Sequence, residues 1–134
     1  MFTSPKNWNA AKADCASPAN SAVLCEASTA AEYNILQQFF NNLGQNLWVG
    51  AYATGSPPGP FPFQWIDGTS LPFTSTWWCS GEPNNWPKGL SWSSLLEGCV
   101  TMWSNSASSA CFNDFSCANS LSYCCEKVLS LIHI

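Results

Sequence analysis

Oxygen donors gather in one part of this chain. Glu82, Asn84, Glu97, Asn113 and Asp114 put three carboxylates and two side-chain amides within a single stretch, out of eight acids in all. A carboxylate only accepts hydrogen bonds, whereas an amide both donates and accepts. Hard oxygens of this kind are what Ca²⁺ takes, about six to eight at a time and in flexible geometry. The same acids allow a second chemistry: Glu82, Glu97 and Asp114 could supply the acid and base of glycoside hydrolysis. A third reading is ordinary loop polarity, since Asn-Asp favours turns. The spacing is not that of an EF-hand loop, so the oxygens alone leave the choice open.

Other chemistries fail early. A hydrolytic Ser or Cys needs a base within reach, and the one His, His133, lies in the terminal tail. No phosphate-cradling glycine loop occurs. The chain has no Arg and only four Lys, too few cations to displace counterions from a nucleic acid. A net charge of -4 implies little beyond solubility.

The elements that must position these oxygens follow from pattern. At 134 residues the chain suits one domain. Asn7 to Cys15 reads as a helix, with Ser4-Pro5 at its start and Trp8, Ala11 and Cys15 on one face. Ser28 reads as the cap of a second helix, with Glu32 in its first turn. Ile35, Leu36, Phe39, Phe40 and Leu43 form its apolar stripe, and Gly44 its end. Leu47–Tyr52, Phe63–Ile66, Cys99–Trp103, a short run toward Cys117, and Leu121–Lys127 read as strands. From Asp67 to Leu96 turn signals dominate without a period, and so long an irregular stretch points to function. Two helices followed by strands around a long loop make an α+β domain. Trp48, Trp65 and Trp103 read as core, Trp77 and Trp78 as loop anchors, and Asp67 as a turn residue.

The eight cysteines follow no metal-site spacing and no CxxC occurs, which argues against zinc and for four disulfides formed in an oxidising compartment. Cys99 and Cys117 flank Glu97 and Asn113-Asp114, so a bridge between them would hold those oxygens together. No run of about 18 apolar residues could cross a membrane. The start lacks an export signal and reads as a cut. The apolar VLSLIHI, 128–134, reads as a tail or assembly scar beyond a domain of residues 1–127.

Taken in order, NWNAAKADC, LCEASTAAEYNIL, LWVGAY, FQWIDG, GEPNN, EGCV, FNDFSC and YCCEK resemble the motifs of the C-type lectin-like domain family over nearly all of residues 2–127. The resemblance implies the family's α+β fold, two helices packed on small antiparallel sheets with a long Ca²⁺-binding loop. It implies one Ca²⁺ site made by the EPN triplet (Glu82, Pro83, Asn84), by Glu97 before Cys99, and by Asn113 and Asp114. In this family EPN goes with mannose-type sugars and QPD with galactose. Sugar contacts would come from Glu82, Asn84, Glu97 and Asn113. Phe112 stands where the family's WND motif has Trp and leaves both ligands intact. The insert WPKGLSWSSLL could add contacts through Trp86 or Trp92, or cover the site. Gly98 and Asn85 stand where a second Ca²⁺ site would need acids, so one site is expected.

The resemblance also implies bridges Cys15–Cys125 and Cys99–Cys117, and leaves Cys79–Cys111 and Cys25–Cys124 as the expected remaining pairs. The function it implies is Ca²⁺-dependent binding of mannose-type glycans, without catalysis, by a secreted or extracellular protein with neither nucleic-acid binding nor membrane insertion. The alternative is an interaction domain that keeps the fold and binds a protein or ice.

Overall fold

The computed structural model describes residues 2–54, 62–72, 75–82, 98–103 and 110–127. In chain order it contains β1 (Phe2–Lys6), α1 (Trp8–Cys15), β2 (Ala22–Leu24), α2 (Ala30–Leu43), β3 (Leu47–Ala53), β4 (Phe63–Trp65), β5 (Ser70–Leu71), β6 (Cys99–Trp103), β7 (Cys111–Phe115), β8 (Leu121–Tyr123) and β9 (Cys125–Lys127). This is the expected α+β class. The expected tail, 128–134, lies outside the described residues.

Both helices start one step away from the sequence expectation. Asn7 caps α1, its side chain accepting from Ala10 N at 2.9 Å. Ser4 and Pro5, expected to open that helix, lie in β1. Proline has no N–H to give a ladder and is confined to edge strands, and β1 is the edge beside β8. Thr29 rather than Ser28 caps α2, accepting from Glu32 N at 3.1 Å. Ser28 has a different part: its amide and hydroxyl donate to Glu32 Oε1 at 2.6 and 2.8 Å. Gly44 ends α2 in the left-handed conformation, φ 75°, which L-residues with a Cβ resist.

The buried stripe of α2 is rotated relative to the expectation. Ile35 is 59 % exposed, while Tyr33 and Leu36 are buried and Phe39, Phe40 and Leu43 pack at the margin of the core. Tyr33 wins the inward position because its polar tip is satisfied there. Its hydroxyl donates to Ala110 O at 3.1 Å and Trp77 O at 3.2 Å. Its ring stacks on Trp77 with centroids 4.8 Å apart.

β3 is the hub of the larger sheet. It pairs antiparallel with β4 (Ala51↔Trp65) and β6 (Trp48↔Thr101), and parallel with β8 (Leu47↔Ser122). Its residues from Leu47 to Ala51 are all buried, as a strand covered on both faces must be. Trp48 and Trp65 are core residues, whereas Trp103 is only half-buried. β6 has the expected bounds. β4 stops at Trp65 because Ile66 and Asp67 enter a turn, and β5, two residues long, was too short to signal itself.

Leu121–Lys127, expected as one strand, divides into β8 in the large sheet and β9 paired with β2. The cysteines explain the division. Successive residues of an extended chain face opposite ways, and here Cys124 bonds Cys25 while Cys125 bonds Cys15. All four expected pairs form, with Cα–Cα distances of 5.5 Å (Cys15–Cys125), 5.3 Å (Cys25–Cys124), 5.0 Å (Cys79–Cys111) and 5.2 Å (Cys99–Cys117).

Candidate functional site

The β6–β7 hairpin carries two of the expected ligands. Asn113 lies opposite Thr101 and Asp114 opposite Val100. Thr101 Oγ1 donates to Asn113 O at 3.2 Å, tying the two strands through a side chain as well as the ladder. Burial alternates along β7: Phe112 and Asp114 are buried, Asn113 half-buried. Asp114 is 0 % exposed, so its carboxylate is held in the interior, where a charge must be compensated.

Glu82 reaches the same strand by another route. Residues 77–79 run beside β7, with Phe112 N donating to Trp77 O and Cys79 N donating to Phe112 O, each at 2.8 Å. Trp78 bridges Phe112 in parallel, and the Cys79–Cys111 disulfide clamps the pair. The chain then turns, Glu82 N donating to Cys79 O at 2.9 Å. Gly81 occupies the third position of that turn with φ 84°, the requirement of a type II turn. Glu82 Oε1 is thereby shielded from solvent.

Of the expected ligands, Asn113 and Asp114 lie on β7, and Glu82 ends the turn that follows Cys79, the residue bonded to Phe112. Asn84 and Glu97 lie outside the described residues, as do Pro83, Asn85, Trp86 and Trp92. Gly98, next to Glu97 in the chain, is anchored by Ala53 N donating to its carbonyl at 2.8 Å. Among the described residues no three of His, Cys, Asp and Glu gather to hold a metal; the expected set has only Glu82 and Asp114 of those types there. The described donors are all hard oxygens, so in chemistry they fit Ca²⁺.

A second group of carboxylates escaped the sequence reading. Glu26, Glu32, Asp67 and Glu126 line a small polar cavity of about 140 Å³ with Ser28 and Thr69. Each accepts from nearby donors. Glu126 Oε1 takes Glu26 N at 2.6 Å and Glu26 Oε2 takes Asp67 N at 3.1 Å. Asp67 Oδ1 takes Thr69 N at 2.9 Å and Thr69 Oγ1 at 2.7 Å, the expected turn role. Burial, then the charge of Asp67, pushes Glu26 from 4.5 up to about 7. Burial also raises Glu126. Hydrogen bonds from the Thr69 hydroxyl and amide lower Asp67, and those from Ser28 lower Glu32. The expected Cys25–Cys124 bridge brings residues 26 and 126 near each other, but no sequence signal adds Glu32 and Asp67 to them.

Two helices, a sheet built around β3 and four disulfides define the class of domain. The chain belongs to the Lectin C-type domain family, matched over residues 4–127. It is 29 % identical over 123 residues to the hepatic lectin of Gallus gallus, covering 92 % of this chain and 51 % of that one. It is 36 % identical over 86 residues to a lectin of Polyandrocarpa misakiensis, covering 64 % of this chain and 59 % of the relative. The chain therefore spans only about half the length of these relatives. Among solved structures, TC14, a C-type lectin from the tunicate Polyandrocarpa misakiensis, superposes with a TM-score of 0.74 at 26 % identity, covering 97 % of both chains. Herring type II antifreeze protein matches with a TM-score of 0.69 at 22 % identity, over 97 % of this chain and 90 % of that one, a likeness of fold alone. The family is one of carbohydrate-binding domains rather than enzymes, so the paired-carboxylate reading as a glycosidase falls away. Among the described residues no helix is long and apolar enough to cross a membrane.

Proposed function

We propose that this domain binds mannose-type saccharides through one Ca²⁺ held by Glu82, Asn84, Glu97, Asn113 and Asp114, as part of a secreted or extracellular protein. The observation that supports it most is that the Cys79–Cys111 bridge ties the segment leading to the Gly81 turn and Glu82 to β7, the strand that carries Asn113 and Asp114. A bound Ca²⁺ would take a lone pair from each of two vicinal hydroxyls. The chain's residues then sort what is left of each hydroxyl. Glu82 and Glu97 accept its proton, while Asn84 and Asn113 donate through their amides. The order Glu then Asn fixes those directions and so selects equatorial over axial arrangements. Trp86 adds a contact from the insert. Water competes for every such bond, so affinity per site is weak.

The other reading, a non-sugar interaction domain, draws on the antifreeze neighbours, which have the same fold. A Ca²⁺ ligand set does not by itself separate the two, since one of those neighbours is a Ca²⁺-dependent antifreeze protein; the Glu82-Pro83-Asn84 order is what favours the sugar. The experiment is calorimetry with Ca²⁺, followed by competition between free mannose and free galactose. One Ca²⁺ should bind, at around 10⁻⁴–10⁻³ M, the range of extracellular modules. The swap Glu82→Gln with Asn84→Asp should keep the ion and move preference toward galactose by roughly tenfold to a hundredfold. Two ions, no ion, or thermal hysteresis without any sugar binding would reject the proposal.

A further inference from the structure

Away from the β6–β7 edge lies a groove of about 540 Å³ between the start of α2 and the 69–77 segment. That volume falls in the range of small-ligand sites, roughly 300–1,000 Å³. Among the described residues lining it none is charged; they include the half-buried Trp77, the buried Trp65, and Ser28, Thr69, Ser75 and Thr76.

The hydroxyls are oriented by their other bonds. Ser28 Oγ donates to Glu32 Oε1 at 2.8 Å and Thr69 Oγ1 donates to Asp67 Oδ1 at 2.7 Å. With their protons committed, both oxygens can face a ligand only as acceptors. The carboxylate behind each one polarises the O–H and strengthens that acceptor. Ser75 is set the other way: its Oγ accepts from Trp77 N at 3.2 Å, which leaves its proton to donate. Trp77 is half-buried, with Tyr33 stacked on one face of the ring, so a ligand can meet only the remaining face or the edge.

We infer that this groove is a metal-independent subsite for a neutral saccharide. A pyranose ring combines the two properties the groove complements. Its C–H face is apolar and suits the negative face of an indole, and its rim is a ring of hydroxyls that both donate and accept. An anion would meet oriented acceptor oxygens backed by Glu32 and Asp67, and an apolar ligand would leave the Ser75 proton without an acceptor. The inference shares its ligand class with the proposed function but rests on none of the Ca²⁺ ligands.

The test is an amide and indole NMR titration of the native, disulfide-bonded protein with cellobiose, in EDTA and then in Ca²⁺. In EDTA the Trp77 indole and the Ser75 and Thr69 amides should shift together and saturate in the millimolar range. Thr69→Val and Trp77→Phe should each weaken that binding by roughly tenfold; the phenyl ring keeps a stack on Tyr33, and an unchanged amide spectrum elsewhere certifies the fold. No shift in EDTA, shifts confined to other surfaces, or shifts that neither variant weakens would overturn the inference. Ca²⁺-dependent binding of mannose alongside a silent groove overturns the inference and leaves the proposed function standing. Binding in the groove with no Ca²⁺-dependent binding anywhere supports the inference and removes the proposed function.

Discussion

The chain has eight acids, and two regions take most of them for different ends. At the β7 edge, Glu82 and Asp114 are held by covalent and backbone ties: the Cys79–Cys111 bridge, the Gly81 turn and the β6–β7 ladder. At the foot of α2, Glu26, Glu32, Asp67 and Glu126 take hydrogen bonds from the groups around them, many of them backbone amides. The second group uses its lone pairs to fasten α2, β9 and the β4–β5 turn. In the first, backbone and sulfur ties fix where the two acids lie. The contrast suggests a general test for an acidic cluster: ask whether the acids hold the scaffold or the scaffold holds the acids.

Removing the covalent tie should break the first region alone, with the largest effect. Replacing Cys79 and Cys111 together by Ala releases a loop with a sequence separation of 32, and the chain-entropy relation gives about 3–4 kcal/mol for that length. Denaturant titration should register this loss. Ca²⁺ affinity should fall with it, because Glu82 loses its anchor to β7, while the pH dependence set by Glu26 should persist. Loss of stability with full retention of Ca²⁺ binding would mean that the bridge does not position the site.

Gly81→Ala sharpens the same contrast with a smaller change. A Cβ at Gly81 meets no atom within 4 Å, so space is not the obstacle. Its φ is 84°, and L-residues resist the left-handed region by roughly 1–2 kcal/mol. The expected result is a comparable drop in stability by thermal unfolding, with weaker Ca²⁺ binding as the turn relaxes. If Asn at this position rescues both, the conformation rather than the residue is what Glu82 needs, because Asn tolerates that region better than Ala.

How much of this was legible in the sequence differs between the regions for a physical reason. The helices, the hub strand and the hairpin each announce themselves through local periodicity, and the errors there are small. Thr29 displaced Ser28 as cap because Glu32 can engage both. Tyr33 displaced Ile35 from the stripe because two carbonyls, of Trp77 and Ala110, wait for its hydroxyl. Neither fact exists before the tertiary contacts do. Glu82, Asn113 and Asp114 stand out in the sequence because they sit in short motifs with fixed neighbours. The α2-foot cluster does not: the Cys25–Cys124 pair brings Glu26 and Glu126 near each other, but Glu32 and Asp67 join them only through the tertiary packing. The groove was missed likewise: its hydroxyls belong to turns, whose Ser and Thr content looks generic until their bonding directions are seen.

The smallest expected effect tests the α2 foot. Burial and Asp67 lift Glu26 from 4.5 to about 7, so between those values the folded chain keeps a proton that the unfolded chain has released. Folding then binds protons, and stability must decline as pH rises through that window. The contribution is fully present below 4.5 and lost above about 7. Glu126, also raised, acts in the same direction, whereas Asp67 and Glu32, both lowered, contribute stability that disappears only as pH falls through their own range. Glu26→Gln removes the titrating proton while keeping an oxygen for Asp67 N. The variant should therefore match the wild type near pH 4 and exceed it near pH 8, by less than about 1 kcal/mol once solvent screening of the half-exposed side chain is allowed for. Thermal unfolding at a series of pH values between those limits measures it. A variant whose stability runs parallel to the wild type across the whole series would show that Glu26 does not titrate in this window.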